Sequence, residues 1–189
     1  MLAGKGFSKV VNLTGGMRSW EDQRAFGPES FGMALFSGRE NLEQVLIIAY
    51  SLEAGLQEFY TSLENQVQDG KMKALFHKLS AIEGKHQEHI FGQYQKIVPR
   101  STSRQEFEQT VVVKAMEGGL TTEEYLGLYP IDFEVLEEVV SLAMGIEAQA
   151  LDLYQRAAAR FPQEEIRQTF VGIAEEERRH LQQLGKLLD

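Results

Sequence analysis

The sequence predicts an all-α protein, a four-helix bundle made of two helical hairpins joined by a long crossover, with a short strand–helix appendage at the N-terminus. Three observations carry this. Four segments place apolar residues three or four apart, the period of a helix with one buried face. Short breaks separate the first two segments and the last two, whereas more than 30 residues separate the pairs. The two pairs also repeat one another at an offset of 94 residues without a gap.

The first helix is expected to open at Ser37 in "SGRE", where a Ser followed three residues later by Glu matches a capping box. It continues to about Val67 on a stripe of Val45, Ile48, Leu52, Leu56, Phe59 and Leu63. "QDG" at residues 68–70 breaks the pattern, and the second helix runs from about Lys71 to Ile97, ending at "VPR". The third starts after Asp132, an expected N-cap, and reaches about Arg160. "FPQ" interrupts it, with Pro162 suited to the opening turn of a fourth helix that runs to about Leu187. Helices of roughly 25 residues would be ~38 Å long. The connection, about Val98 to Ile131, is expected to hold a short helix around Gln105 to Met116. A crossover this long suits a bundle whose second and third helices run parallel. Residues 1–32 differ in character: "KVVNL" is a β-type run, "TGG" a turn, "MRSWEDQ" a short helix and "FGPESFG" a linker. Two units are therefore expected, residues 1–32 and 33–189.

Composition narrows the function. A net charge of -9 and a pI near 5.0 argue against nucleic acid or an anionic membrane surface as partner. No apolar run is long enough to span a bilayer, and the N-terminus lacks the apolar core of a secretory signal, which points to the cytoplasm. The absence of cysteine excludes disulfides, a thiolate nucleophile and Cys-ligated iron. Redox chemistry would have to use His and carboxylate ligands or an organic cofactor.

The repeat carries such ligands. The shift of 94 pairs Glu53 with Glu147, Tyr60 with Tyr154, Phe76 with Phe170, Glu83 with Glu177 and His86 with His180. Each glutamate occupies a slot that should be apolar: Ala49, Glu53, Leu56; Leu79, Glu83, His86, Ile90; Ala143, Glu147, Ala150; Ile173, Glu177, Leu181. Glu53 and Glu83 lie 16 and 14 residues from Asp69, and Glu147 and Glu177 each lie 15 from Pro162. All four should meet at mid-height. Four buried carboxylates repel one another and have lost their hydration, so they need compensation. Two divalent cations balance them, and His86 and His180 add one nitrogen each. In Glu-x-x-His, three residues turn the helix by ~300°, aiming both side chains at one ion. One such motif is weak evidence, but two in register, each with a core glutamate 30 residues upstream, are specific.

On "SLEAGLQEFY", "IEGKH", "GIEAQALDLY" and "EEERRH", the helical part, roughly Ser37 to Asp189, resembles the ferritin-like superfamily and within it rubrerythrin. The resemblance implies a ferritin-like four-helix bundle holding two iron ions, with manganese or zinc possible in the same ligands. It implies that Glu83 and Glu177 bridge the metals, that Glu53 and Glu147 are terminal ligands, and that His86 and His180 serve one ion each. It implies reduction of hydrogen peroxide or dioxygen in oxidative-stress defence, by a homodimer. Two positions depart from the family pattern. Where rubrerythrins usually carry a further glutamate one turn after the third-helix ligand, this chain has Ala150, and without cysteine it lacks their rubredoxin domain. Electrons are then expected from a separate protein. Iron storage or ferroxidase activity without peroxidase turnover, and a purely structural bundle, are the competing readings. The N-terminal "GFSKVVNLTGGMRSWE" resembles the last strand and helix of a rhodanese domain without its catalytic loop.

Tyr60 and Tyr154 lie seven residues after the terminal glutamates, either as core tyrosines capped by a hydrogen bond or as donors orienting a ligand carboxylate. Both can hold together. His89 is expected at the surface or behind the ligands, and His77 in a structural role. Glu175 and Glu176 are expected on the solvated face, Glu175 pairing with Arg179.

Overall fold

The computed structural model describes residues 30–98, 102–110, 115–116 and 120–186. Among these residues it is all helical: α1 (Ser30–Met33), α2 (Leu42–Gln66), α3 (Gly70–Ile97), α4 (Arg104–Glu108), α5 (Thr122–Leu128), α6 (Leu136–Arg160) and α7 (Glu164–Gly185). The hairpins α2–α3 and α6–α7 form the bundle. The expected N-terminal strand and helix, and the rhodanese-like stretch with them, fall in residues 1–29, outside the described residues.

Helix starts differ from expectation where a nearer cap competes. Residues 37–40 do not begin α2. Gly38 has φ +84, a left-handed conformation incompatible with a right-handed helix, and the Glu40 carboxylate accepts from the backbone N–H groups of Ser37 and Gly38. The capping box that starts α2 is Asn41–Gln44, with reciprocal bonds of 2.9 and 3.0 Å. Asp69 caps α3 through Lys71 N and Met72 N, matching the expected break. Asp132 instead closes a turn onto the Glu134 and Val135 amides, and the N-cap of α6 is Val135, three residues beyond the expected one. In α7 the N-cap is Gln163, which leaves Pro162 just outside the first turn.

The crossover carries two short helices rather than one. α4 stops at Glu108, well before the expected Met116, and Thr110 folds back to bond the Phe107 carbonyl through both N–H and hydroxyl. α5 was not expected, although Thr121 and Glu124 form a capping box as regular as that of Ser103 and Glu106. Both short helices dock by aromatic anchors. Phe107 meets Tyr50 edge-on at 4.8 Å between centroids, and Tyr125 meets Phe59 at 5.6 Å. Gly55 on α2 has the crossover against it: a Cβ there would lie 2.4 Å from the Ala115 carbonyl oxygen.

Two apolar clusters fill the bundle. One holds Leu46, Ala49, Ile90, Ala150, Leu153, Phe161 and Phe170; the other holds Leu56, Phe59, Phe76, Leu79, Val139, Ile146 and Leu184. Phe36 extends the first, packing edge-on to Phe170 at 5.2 Å. On every long helix the central glutamate falls at the boundary between these clusters. No helix among the described residues is long and apolar enough to cross a membrane.

Candidate metal centre

Between the two apolar clusters lies a polar layer. Glu53 from α2, Glu83 and His86 from α3, Glu147 from α6, and Glu177 and His180 from α7 converge there. All four glutamates are fully buried, and the two histidines are 6% and 5% exposed. Each stands in the apolar stripe of its helix, so burial of that stripe carries the carboxylate inward. The structure thus brings all six expected site residues together.

The geometry has an approximate two-fold character that follows the repeat. His86 Nδ1 is 3.0 Å from Glu53 Oε2, 3.1 Å from Glu83 Oε2 and 3.6 Å from Glu177 Oε1. His180 Nδ1 is 3.1 Å from Glu147 Oε2, 3.2 Å from Glu177 Oε2 and 3.9 Å from Glu83 Oε1. The imidazoles stack nearly parallel, 7° apart, with centroids separated by 4.9 Å. Tyr60 donates its hydroxyl to Glu147 Oε1 at 2.7 Å, and Tyr154 donates to Glu53 Oε1 at 2.8 Å. Each tyrosine therefore holds the carboxylate of the opposite hairpin, and both readings of these residues, core tyrosine and orienting donor, describe them.

Hydrogen bonding leaves this cluster incomplete. Each Nδ1 carries at most one proton but faces three carboxylates. All four oxygens of Glu83 and Glu177 are buried without a hydrogen bond. Unsatisfied buried acceptors cost several kcal/mol each as ions, a cost that a cation removes. Donor atoms of Glu83, His86, Glu177 and His180 lie within 4.8 Å of one another, and Glu53 and Glu147 flank them. Oxygen and imidazole nitrogen, without sulfur, suit Fe, Mn or Zn.

Electrostatics express the same deficit. Burial, reinforced by the neighbouring carboxylates, holds Glu83 and Glu177 well above the usual carboxylate range. Burial also works on Glu53 and Glu147, but His86 and His180 with the tyrosine hydroxyls outweigh it and hold both below that range. Burial opposes protonation of His86, yet the charge and hydrogen bonds of Glu53 and Glu83 raise it to about 11. Tyr60 is raised well above its ordinary value by burial and by Glu147, so its hydroxyl stays a donor. Without a cation, protons neutralise the cluster.

A cavity of about 370 Å³ opens between α3 and α7 onto the exposed edges of His86 and His180. Ile82, Lys85, His89 and Arg179 line it too. His89, on the cavity wall, lies 2.8 Å from the Gln93 side-chain amide through its Nε2. Glu176 is a correction: it turns toward this cavity rather than to open solvent, its Oε2 3.4 Å from His86 Nε2. Helical rotation places it beside the Glu177 face, on the side that meets α3. Glu175 pairs with Arg178 rather than Arg179. His77, largely exposed, meets Glu64 across the hairpin at 3.4 Å, a partner that spacing along one helix does not reveal.

Fold and site together define a helical bundle of ferritin-like type with a buried His/carboxylate group able to hold metal. The Rubrerythrin family pattern matches residues 40–188, and the chain belongs to the rubrerythrin family, whose members typically bind iron. No curated protein matches the sequence. Among solved structures, a hypothetical protein from Pyrococcus furiosus is similar with a TM-score of 0.52 and 23% identity, over 77% of this chain and 87% of that one. That likeness concerns the fold alone.

Proposed function

We propose that the chain is a binuclear non-haem iron protein that reduces hydrogen peroxide or dioxygen with electrons from a separate donor protein. The observation that carries this is the set of four buried carboxylate oxygens of Glu83 and Glu177, unbonded and placed between two imidazole Nδ1 atoms. Two bound iron ions would supply two one-electron couples, matching the two electrons and two protons that convert hydrogen peroxide to two waters. The chain's own residues set the conditions. Glu83 and Glu177, between the two halves, would help hold both ions, while Glu53 with His86 and Glu147 with His180 would hold one each. Tyr154 and Tyr60 lock the outer carboxylates from across the bundle, which fixes the ligand geometry before metal arrives. The apolar clusters above and below exclude water, strengthening every charge interaction in the layer. The cavity between α3 and α7 gives a small polar oxidant a path to the histidine edges.

Homodimeric assembly, a cytoplasmic setting and a division at residues 32/33 complete the proposal. The test is anaerobic loading with ferrous iron followed by peroxide. Ferric absorption should develop at about two irons per chain; its absence sinks the redox assignment. Glu83→Gln with Glu177→Gln should abolish iron binding while leaving helicity unchanged, and retained iron would refute the ligand set.

A further inference from the structure

The two halves of the site match at every carboxylate, imidazole and tyrosine of the buried layer, but not behind the imidazoles. Glu176 stands behind His86, half-buried, 3.4 Å from Nε2. The 94-residue offset pairs Glu176 with Ile82, and Ile82 and His180 both line the same cavity. All ion-pair contacts of His180 among the described residues are made by Nδ1, so its Nε2 meets no carboxylate there. Among the same residues, His86 holds the one basic side-chain nitrogen within 4 Å of the Glu176 carboxylate. Glu176 is therefore not spent on a surface arginine.

A ligating histidine whose second nitrogen faces a carboxylate is fixed in one tautomer and made a stronger donor; losing such a partner typically costs 10–100-fold in metal affinity. Glu176 also adds a negative charge on the His86 side that Ile82 does not supply on the other. We infer that the two metal positions are unequal, the ion at His86 being held more tightly than the ion at His180, with Glu176 as the positioning residue. The inference rests on the dinuclear reading of the site. An ion that exchanges readily at His180 and one retained at His86 follow from it.

The test is titration of the metal-free full-length protein with Co²⁺, followed by its visible d–d absorption and by calorimetry. Repulsion between two dications separates the binding steps even in a symmetric site, so the variants decide. Ile82→Glu installs the missing partner and should tighten the weaker step about tenfold, narrowing the separation. Glu176→Ile should weaken the tighter step by a similar factor. The double exchange, Glu176→Ile with Ile82→Glu, should restore the original separation. A separation unmoved by Ile82→Glu, or not restored by the exchange, overturns the inequality. Failure of the unaltered protein to take up cobalt at all would overturn the dinuclear reading beneath it.

Discussion

At the scale of residues, a buried carboxylate is tolerable only where something answers its charge, and here the answers come in two kinds. Glu53 and Glu147 have a tyrosine hydroxyl and an imidazole each; Glu83 and Glu177 have neither to themselves. The tyrosines are thus as much part of the site as the carboxylates they hold. Tyr60→Phe should leave one Glu147 oxygen buried without its donor, lowering stability by about 1–3 kcal/mol. Iron affinity should fall about tenfold or more. Chemical denaturation of the metal-free variant reads the first effect and metal titration the second; an unchanged affinity would reduce Tyr60 to a packing residue. Much of this was legible in the residues themselves. A glutamate in an apolar slot is conspicuous, and the pairing of Glu-x-x-His with its copy 94 residues later removes chance as an explanation. Glu176 was not legible, because in "EEERRH" three successive glutamates differ only in the angle at which they leave the helix, and the neighbouring α3 decides what each meets.

At the scale of elements, the long helices follow from periodicity, while their ends follow from local competition. "SGRE" and Asn41–Gln44 both offer capping groups within a few residues. The later one starts the helix because Gly38 has already turned left-handed, with its loop tied to the bundle through Arg160 and the Ser37 carbonyl at 3.0 Å. The crossover helices are too short for periodicity to detect, and only their capping boxes announce them. Gly55 shows an element position where tertiary contact inverts an ordinary rule. Within a helix, Gly→Ala normally stabilises by roughly 0.5–1 kcal/mol. Here the new Cβ would meet a backbone oxygen at 2.4 Å, and neither partner can rotate away. Gly55→Ala should destabilise by about 1–3 kcal/mol, as overpacking does. Thermal denaturation against the parent reads the sign directly, and a rise in midpoint would show that the crossover does not bear on α2.

At the scale of the whole molecule, the bundle encloses a charged layer between two apolar ones, so its stability depends on what neutralises that layer. In the metal-free protein Glu83 and Glu177 bind protons more tightly than the 4.5 of unfolded carboxyls, and His86 more tightly, at about 11, than the unfolded 6.5. The folded state therefore holds more protons than the unfolded state across this range, and stability must fall as pH rises. The carboxyl contributions fade from about pH 4.5 upward and that of His86 from about pH 6.5. Glu53 and Glu147, lowered in the folded state, act oppositely, but only as pH falls below 4.5. The chelator-treated protein should accordingly melt at a lower temperature at pH 8.5 than at pH 5.5. With metal the order reverses, since ligands must shed protons to bind it. Melting curves at both values, with and without iron, check the sign; a metal-free midpoint that rises with pH contradicts the arrangement.

The chain by itself determined the four long helices, their pairing into hairpins, and the six residues aimed at the centre. These are local or periodic properties, readable because a helix converts spacing into direction and because the repeat states the same pattern twice. What the tertiary structure decided were the relations between halves. It set which tyrosine holds which carboxylate and where Glu176 turns, and it brought the crossover against Gly55 and left a cavity open between α3 and α7. Such contacts join residues tens of positions apart on different helices, and their register comes from packing two surfaces together, which no single helix encodes.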